Sequence, residues 1–119
     1  DDYYNGKVFE DSVCYSYWFV DIHRDGQPAF IQYITHEKTP TIRLSAMISR
    51  DISNLMMAGR CVSSDRETNS SLRVKASCMA MGQAAGVAAA LAVKGSTTPR
   101  NIDPTHLRKV LLENGVFLG

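Results

Sequence analysis

The sequence predicts an α+β fold in which a few strands are followed by a long buried helix and a short C-terminal helix. Three observations carry this. Residues 13–20 (VCYSYWFV) and 29–34 (AFIQYI) are rich in the aromatic and β-branched side chains that strands favour. Between Lys75 and Lys94 there is no charged residue and no proline, and alanine, which loses no side-chain entropy on ordering, dominates. Near the end, Asp103-Pro104 opens a third pattern in which Leu107, Val110 and Leu111 share one helical face.

Taken in order, residues 1–11 are polar, with Asn5-Gly6 as a turn signal. Residues 13–20 form the first strand, Asp25-Gly26-Gln27-Pro28 is a turn, and residues 29–34 form the second strand, as a hairpin or as sheet neighbours. Tyr15, Tyr17, Trp18, Phe19, Phe30 and Tyr33 either pack in a core or interface or line a cleft, and packing is the commoner use of such rings. Residues 36–40 break the pattern, 41–48 (TIRLSAMI) resume it, and the apolar run 55–58 (LMMA) reads as a short buried strand ending at Gly59. After a polar loop, residues 70–94 read as one helix about 36 Å long, at about 1.5 Å per residue. Gly95 suits its C-cap. Asp103 caps the last helix, Asn114-Gly115 ends it, and residues 116–118 pack back.

The long helix has no polar face, the mark of a helix buried on all sides. Gly82, Ala85, Gly86 and Ala89 thin one flank, so a sheet or a second helix should lie close against it. Gly82 and Gly86 also have GxxxG spacing in a run of about the minimum spanning length. The Ala/Gly composition, Gln83, Ser77, the lysines at both ends and the lack of flanking Trp or Tyr favour a buried helix over a membrane span. Ser70 and Ser71 are positioned to cap this helix, while Asp65 and Glu67 fall outside it. Arg73 and Lys75 carry the wrong sign for a helix N-terminus, whose amides are already partly positive. They either build an anion site or are solvated or paired with Asp65 and Glu67.

At 119 residues the chain is at most one modest domain, and its net charge of +1 gives no support for a nucleic-acid surface or a basic membrane patch. It starts at Asp1, without Met or a signal peptide, as a fragment or processed chain would. Cys14, Cys61 and Cys78 are odd in number and widely spaced, which argues against a disulfide framework or a zinc site and for three small buried apolar residues. Free cysteines favour a reducing, cytoplasmic compartment. Asp21-Ile-His23 places two ligand-type side chains on one strand face, but no third ligand is near and no metal is expected.

The unit that carries chemistry is an ordered one: apolar strand, Gly59, loop, positive helix start, long thin helix. Glycine at a strand end lets a ligand approach the backbone, and ligands in open α/β sheets bind outside the carboxyl ends of strands. A flavin suits such a site, because its N1–C2=O2 edge gains negative charge on reduction and a helix N-terminus stabilises that charge.

Residues 54–92, NLMMAGRCVSSDRETNSSLRVKASCMAMGQAAGVAAALA, resemble the C-terminal part of FAD-dependent oxidoreductases of two-dinucleotide-fold architecture, relatives of the fumarate-reductase and glucose-inhibited-division flavoproteins. The shared pattern is N-L, A-G-R, a small residue, Ser, a loop, S-x-R, then G-x-A-A-G-x-A-A. Asp21-Ile-His23 and the D-x-x-x-L-R at 103–108 are similar to the family as well. The resemblance implies a fragment of an α/β FAD-binding fold, with residues 1–50 ending a substrate-side sheet region and 51–119 belonging to the FAD-binding domain. It implies that Ala58, Gly59 and Arg60 pass close to the flavin, and that Ser71, Leu72 and Arg73 open the helix pointing at it. Gly82 and Gly86 would pack on the dinucleotide-binding sheet, and His23 and His36 become the candidates for substrate contact. Arg60 and Arg73 would hold an anionic substrate or compensate flavin charge.

The chain lacks the family's G-x-G-x-x-G fingerprint, so the adenine and pyrophosphate half of the site belongs to an N-terminal part not in this sequence. The expected function is a C-terminal fragment of an FAD-dependent oxidoreductase, inactive alone, with FAD and a small-molecule substrate engaged through that other part. The alternative is a non-catalytic oligomerisation or binding module derived from such an enzyme. A chain this short buries only about 60–70% of its unfolded surface, so a wholly apolar helix predicts self-association under either reading.

Overall fold

Two small antiparallel ribbons, four α-helices and two 3-10 turns are the regular elements of a computed structural model that describes residues 2–118, apart from the side chain of His36. Ser12–Tyr15 (β1) pairs with Thr41–Arg43 (β4), with Cys14 opposite Ile42 and Tyr15 opposite Thr41. Val20–Arg24 (β2) and Gln27–Gln32 (β3) form a hairpin closed by Asp25-Gly26, with Gly26 at φ +69° as a tight two-residue loop requires. The expected hairpin is present, but between different segments. The run 13–20 is not one strand: Ser16 leaves the ladder, its amide bonding the Pro40 carbonyl at 2.9 Å and its hydroxyl lying 2.9 Å from that of Ser77. That buried polar tie turns the chain from the first ribbon to the second.

The run 41–48 is a strand only as far as Arg43. Leu44–Met47 (α1) then makes one helical turn that buries Leu44 and Met47. Asp11 starts that turn from a distance, its carbonyl accepting from the Leu44 amide at 2.7 Å and its carboxylate from the Ser45 amide at 3.0 Å. Residues 55–58 make a single bridge, Met56 to Ile48, and Leu55 is exposed, so this segment is not the buried strand that its apolar run suggests.

The long helix is interrupted. Asp65 caps Arg66–Leu72 (α2), its carboxylate accepting from the Thr68 amide at 2.7 Å, and Glu67 sits in the first turn where a negative charge is favoured. The two carboxylates lie outside the long helix, as expected, and begin a separate one before it. Val74 then adopts an extended conformation (φ −76°, ψ 152°), and Lys75–Lys94 (α3) starts afresh with 20 residues, about 30 Å. The break lets α2 pack on β2 while α3 packs on β1.

α3 buries one stripe, Ser77, Met81, Ala84, Ala88 and Ala92, spaced at helical intervals. Cys78, Ala80, Ala85, Val87 and Leu91 flank it half-buried, and the opposite face is uncovered: Met79 is 74% and Val93 80% exposed, and a Cβ added at Gly82 or Gly86 would meet nothing within 4 Å. The expectations of burial on all sides and of a close neighbour on the glycine flank do not hold within this chain. By length and composition α3 also suits a membrane span, but its Met81–Ala88–Ala92 stripe is a wall of the core.

The Gly95 amide closes α3 on the Leu91 carbonyl at 2.9 Å, although the left-handed residue is Ser96 (φ 48°). Pro104–Glu113 (α4) is capped by Asp103, whose carboxylate accepts from the Thr105 amide, and buries Leu107 and Leu111 completely. Leu118 folds back into the same core. One hydrophobic cluster joins Val13, Cys14, Ile42, Leu44 and Met47 to Leu72, Met81, Leu107 and Leu111, so both halves of the sequence contribute to it. Cys14 is buried as expected, and burial pushes its thiol up to about 12; Cys78 is half-buried and Cys61 is exposed. Tyr17, Trp18, Phe30 and Tyr33 lie at the surface, so these rings do not pack into the core of this chain.

Candidate functional site

The loop from Ala58 to Arg60 runs against the junction of α2 and α3. Gly59 has φ +94°, a conformation that side chains resist, and a Cβ there would only touch Cys78 at 3.9 Å. Glycine is thus demanded by backbone conformation, and the contact sets this loop beside the first turn of α3. The thiol of Cys78 reaches the Leu72 carbonyl at 3.8 Å, which ties the same turn to the end of α2. The Arg60 guanidinium donates through Nε to the Arg73 carbonyl at 3.2 Å. Two of the expected site segments, 58–60 and 71–73, are therefore brought together, although neither lies where the sequence put it. Gly59 does not terminate a strand. Ser71 and Leu72 close α2 instead of opening the long helix, with Arg73 as C-cap.

Ser71 and Leu72 are both buried, and the Leu72 side chain belongs to the core cluster. Ser71 Oγ has no hydrogen-bond partner, an uncommon state for a buried hydroxyl. α3 begins at Val74, which has no side-chain oxygen to accept from the first amides, and no acidic residue occupies its first turn. A 20-residue helix with uncapped, partly positive amides thus opens beside Gly59.

Asp21 gathers the remaining candidates. Its amide bonds Ser70 Oγ at 3.2 Å, and its Oδ2 lies 3.7 Å from Arg73 Nη2. Arg73 accordingly pairs with Asp21 and not with Asp65 or Glu67. His23 Nε2 is 3.0 Å from Asp21 Oδ1, yet the ring N–H does not point at that oxygen, which is buried without a hydrogen bond. Arg66 reaches the His23 carbonyl at 3.4 Å, holding β2 to α2. The side chain of His36 lies outside the described residues, and the segment His36–Lys38 is a 3-10 turn. No cluster of three or more metal-ligating side chains occurs among the described residues.

A hydroxyl chain that local sequence does not announce lies beneath the helix junction. The Tyr3 hydroxyl donates to Ser16 Oγ at 3.2 Å, and Ser16 Oγ meets Ser77 Oγ at 2.9 Å. Burial raises the Tyr3 hydroxyl above its ordinary value, with the nearby hydroxyls of Ser16 and Ser71 opposing that rise. The available signal was Ser77, a polar residue on an alanine helix.

A helix start without a side-chain cap lies beside a glycine held at positive φ, an arrangement that leaves backbone amides able to meet an anionic group. The chain belongs to the FAD dependent oxidoreductase family, whose family model matches residues 1–111. No curated protein and no solved structure matches the chain. The residues present fit a flavin: the α3 amides suit its electron-rich edge, and Gly59 leaves room for close approach.

Proposed function

We propose that this chain supplies the flavin-facing loop and helix start of an FAD site in an oxidoreductase of two-dinucleotide-fold type. What supports the reading is the meeting of Gly59, at φ +94°, with the uncapped start of α3, in a chain of the FAD dependent oxidoreductase family. When bound, FAD supplies two-electron redox chemistry, which protein side chains do not provide. The chain's own residues orient it. Ala58, Gly59 and Arg60 present backbone to the ring system. The end of α2, Ser71 and Leu72 with Arg73, presents the Ser71 hydroxyl, the Leu72 backbone and the Arg73 charge. The guanidinium groups of Arg60 and Arg73 offset negative charge on the cofactor or on an anionic substrate.

In this reading residues 1–50 belong to the substrate side and 51–119 to the FAD-binding domain. The bare flank of α3 at Gly82 and Gly86 faces the dinucleotide-binding sheet of the remaining polypeptide. The chain is the C-terminal part of such an enzyme, and neither nucleic acid nor membrane is a partner.

The test is a titration of the purified chain with FAD, read by visible absorption after desalting. The reading predicts retained flavin that is lost in Gly59→Val and weakened in Arg73→Gln. A Gly59→Val chain that retains as much flavin as the wild type contradicts it, while a wild type that retains none shows that binding also needs the adenine and pyrophosphate half of the site.

A further inference from the structure

The cluster around Asp21 holds an acid–base pair whose use the cofactor reading leaves open. Asp21 Oδ1 is buried and lacks a hydrogen bond, and the nearest candidate donor is His23 Nε2 at 3.0 Å. His23 is 72% exposed, so a small turn of its ring aims the Nε2–H at the carboxylate without displacing packed atoms. The other carboxylate oxygen is engaged by Arg73 at 3.7 Å, and the Asp21 amide is held by Ser70. The carboxylate is thereby held from two sides, and once the ring turns it can fix the imidazole in turn. With Nε2 committed to Asp21, Nδ1 is the nitrogen left for the solvent side. An imidazole whose tautomer is set by a carboxylate, with the other nitrogen free, is the arrangement that moves protons near neutral pH. The pair also adjoins the loop, because Arg73 touches Asp21 through its side chain and Arg60 through its carbonyl.

We propose that His23 is the acid–base residue of this site, with Asp21 as its positioning residue, acting on a substrate that bears a hydroxyl or amine; the proposal rests on the cofactor reading above. In the step assigned to His23, the O–H or N–H bond of the substrate breaks and its bonding pair stays on the oxygen or nitrogen. The proton bonds to Nδ1. The resulting imidazolium faces the Asp21 carboxylate and later returns the proton to water.

The test needs no substrate. Unprotonated imidazole nitrogen attacks diethyl pyrocarbonate and becomes carbethoxylated with loss of ethyl carbonate, and mass spectrometry of peptides reads each histidine separately. His106, exposed on α4 and remote in sequence from the pair, is the internal reference. His23 should react about tenfold faster than His106, the rate equivalent of one charge-assisted hydrogen bond. Asp21→Asn should abolish that excess and Asp21→Glu should retain most of it, with the His106 rate unchanged in both as evidence that the fold persists. Equal rates at His23 and His106 in the wild type, or an excess that survives Asp21→Asn, overturns the proposal. Adding FAD separates the two claims. Slowing at His23 alone supports a flavin beside the pair. A fast, Asp21-dependent His23 that is untouched at an FAD concentration where flavin is bound refutes the location of the cofactor while the pair stands.

Discussion

Gly59 is where backbone conformation and chemistry meet. At φ +94° an L side chain is strained whatever the available space, and the nearest atom to an added Cβ, Cys78 Sγ at 3.9 Å, is at ordinary contact distance. Gly59→Ala should therefore lower the unfolding free energy by about 1–3 kcal/mol through backbone strain alone, read by urea denaturation. A neutral substitution would mean that the loop relaxes freely and is not the rigid wall that the site requires. At this scale the sequence was informative about identity and poor about surroundings. Ala58, Gly59, Arg60 and Arg73 could be picked out, and they do come together. Ser16 and Ser77 could not, because a lone serine in an aromatic run or an alanine helix carries no sign of the partner that it meets across the fold.

Among the elements, α2 and α3 show what composition hides. Helix propensity summed over 70–94 favours one helix, and propensity is a weak prior that tertiary packing overrides. Here α2 docks on β2 and α3 on β1, so the chain breaks at Val74. Asp65 stabilises the new start. The hydrogen bond from the Thr68 amide holds its carboxyl below the ordinary value of 3.8. A depressed folded-state value means that the cap contributes fully above 3.8 and fades as the pH falls through the lower folded value. Asp65→Ala should cost about 1 kcal/mol at neutral pH, and the difference from wild type should shrink in acid, as followed by thermal melts; a difference that grows in acid would reverse the assignment. α3 makes a second prediction. Met81 is fully buried and Met79 is 74% exposed on the same helix. Met81→Ala should cost about 2–5 kcal/mol, and Met79→Ala within about 0.5 kcal/mol of nothing. Similar losses at both positions would mean that the outer face is covered in solution. The α4 cap, its two buried leucines and the Asp25-Gly26 turn were legible because each depends on a few neighbouring residues. The strand limits at Ser16 and Arg43 were not, since they follow from long-range ties to Ser77 and Asp11.

As a whole molecule, the chain leaves apolar surface bare on α3 and on the rings at Trp18, Phe30 and Tyr33. Patches of this kind mark surfaces that another part or partner covers. The isolated chain should therefore self-associate, with a sedimentation coefficient that rises with concentration; a monomer across the accessible range would mean that these faces tolerate water. If the loop and helix start form the flavin-facing wall, amide hydrogen exchange with and without FAD should show it: FAD should slow exchange at residues 58–60 and 71–77 and leave α4 unchanged. Protection confined to the β2–β3 hairpin, or no protection at a concentration where flavin is bound, would place the cofactor elsewhere and contradict the account.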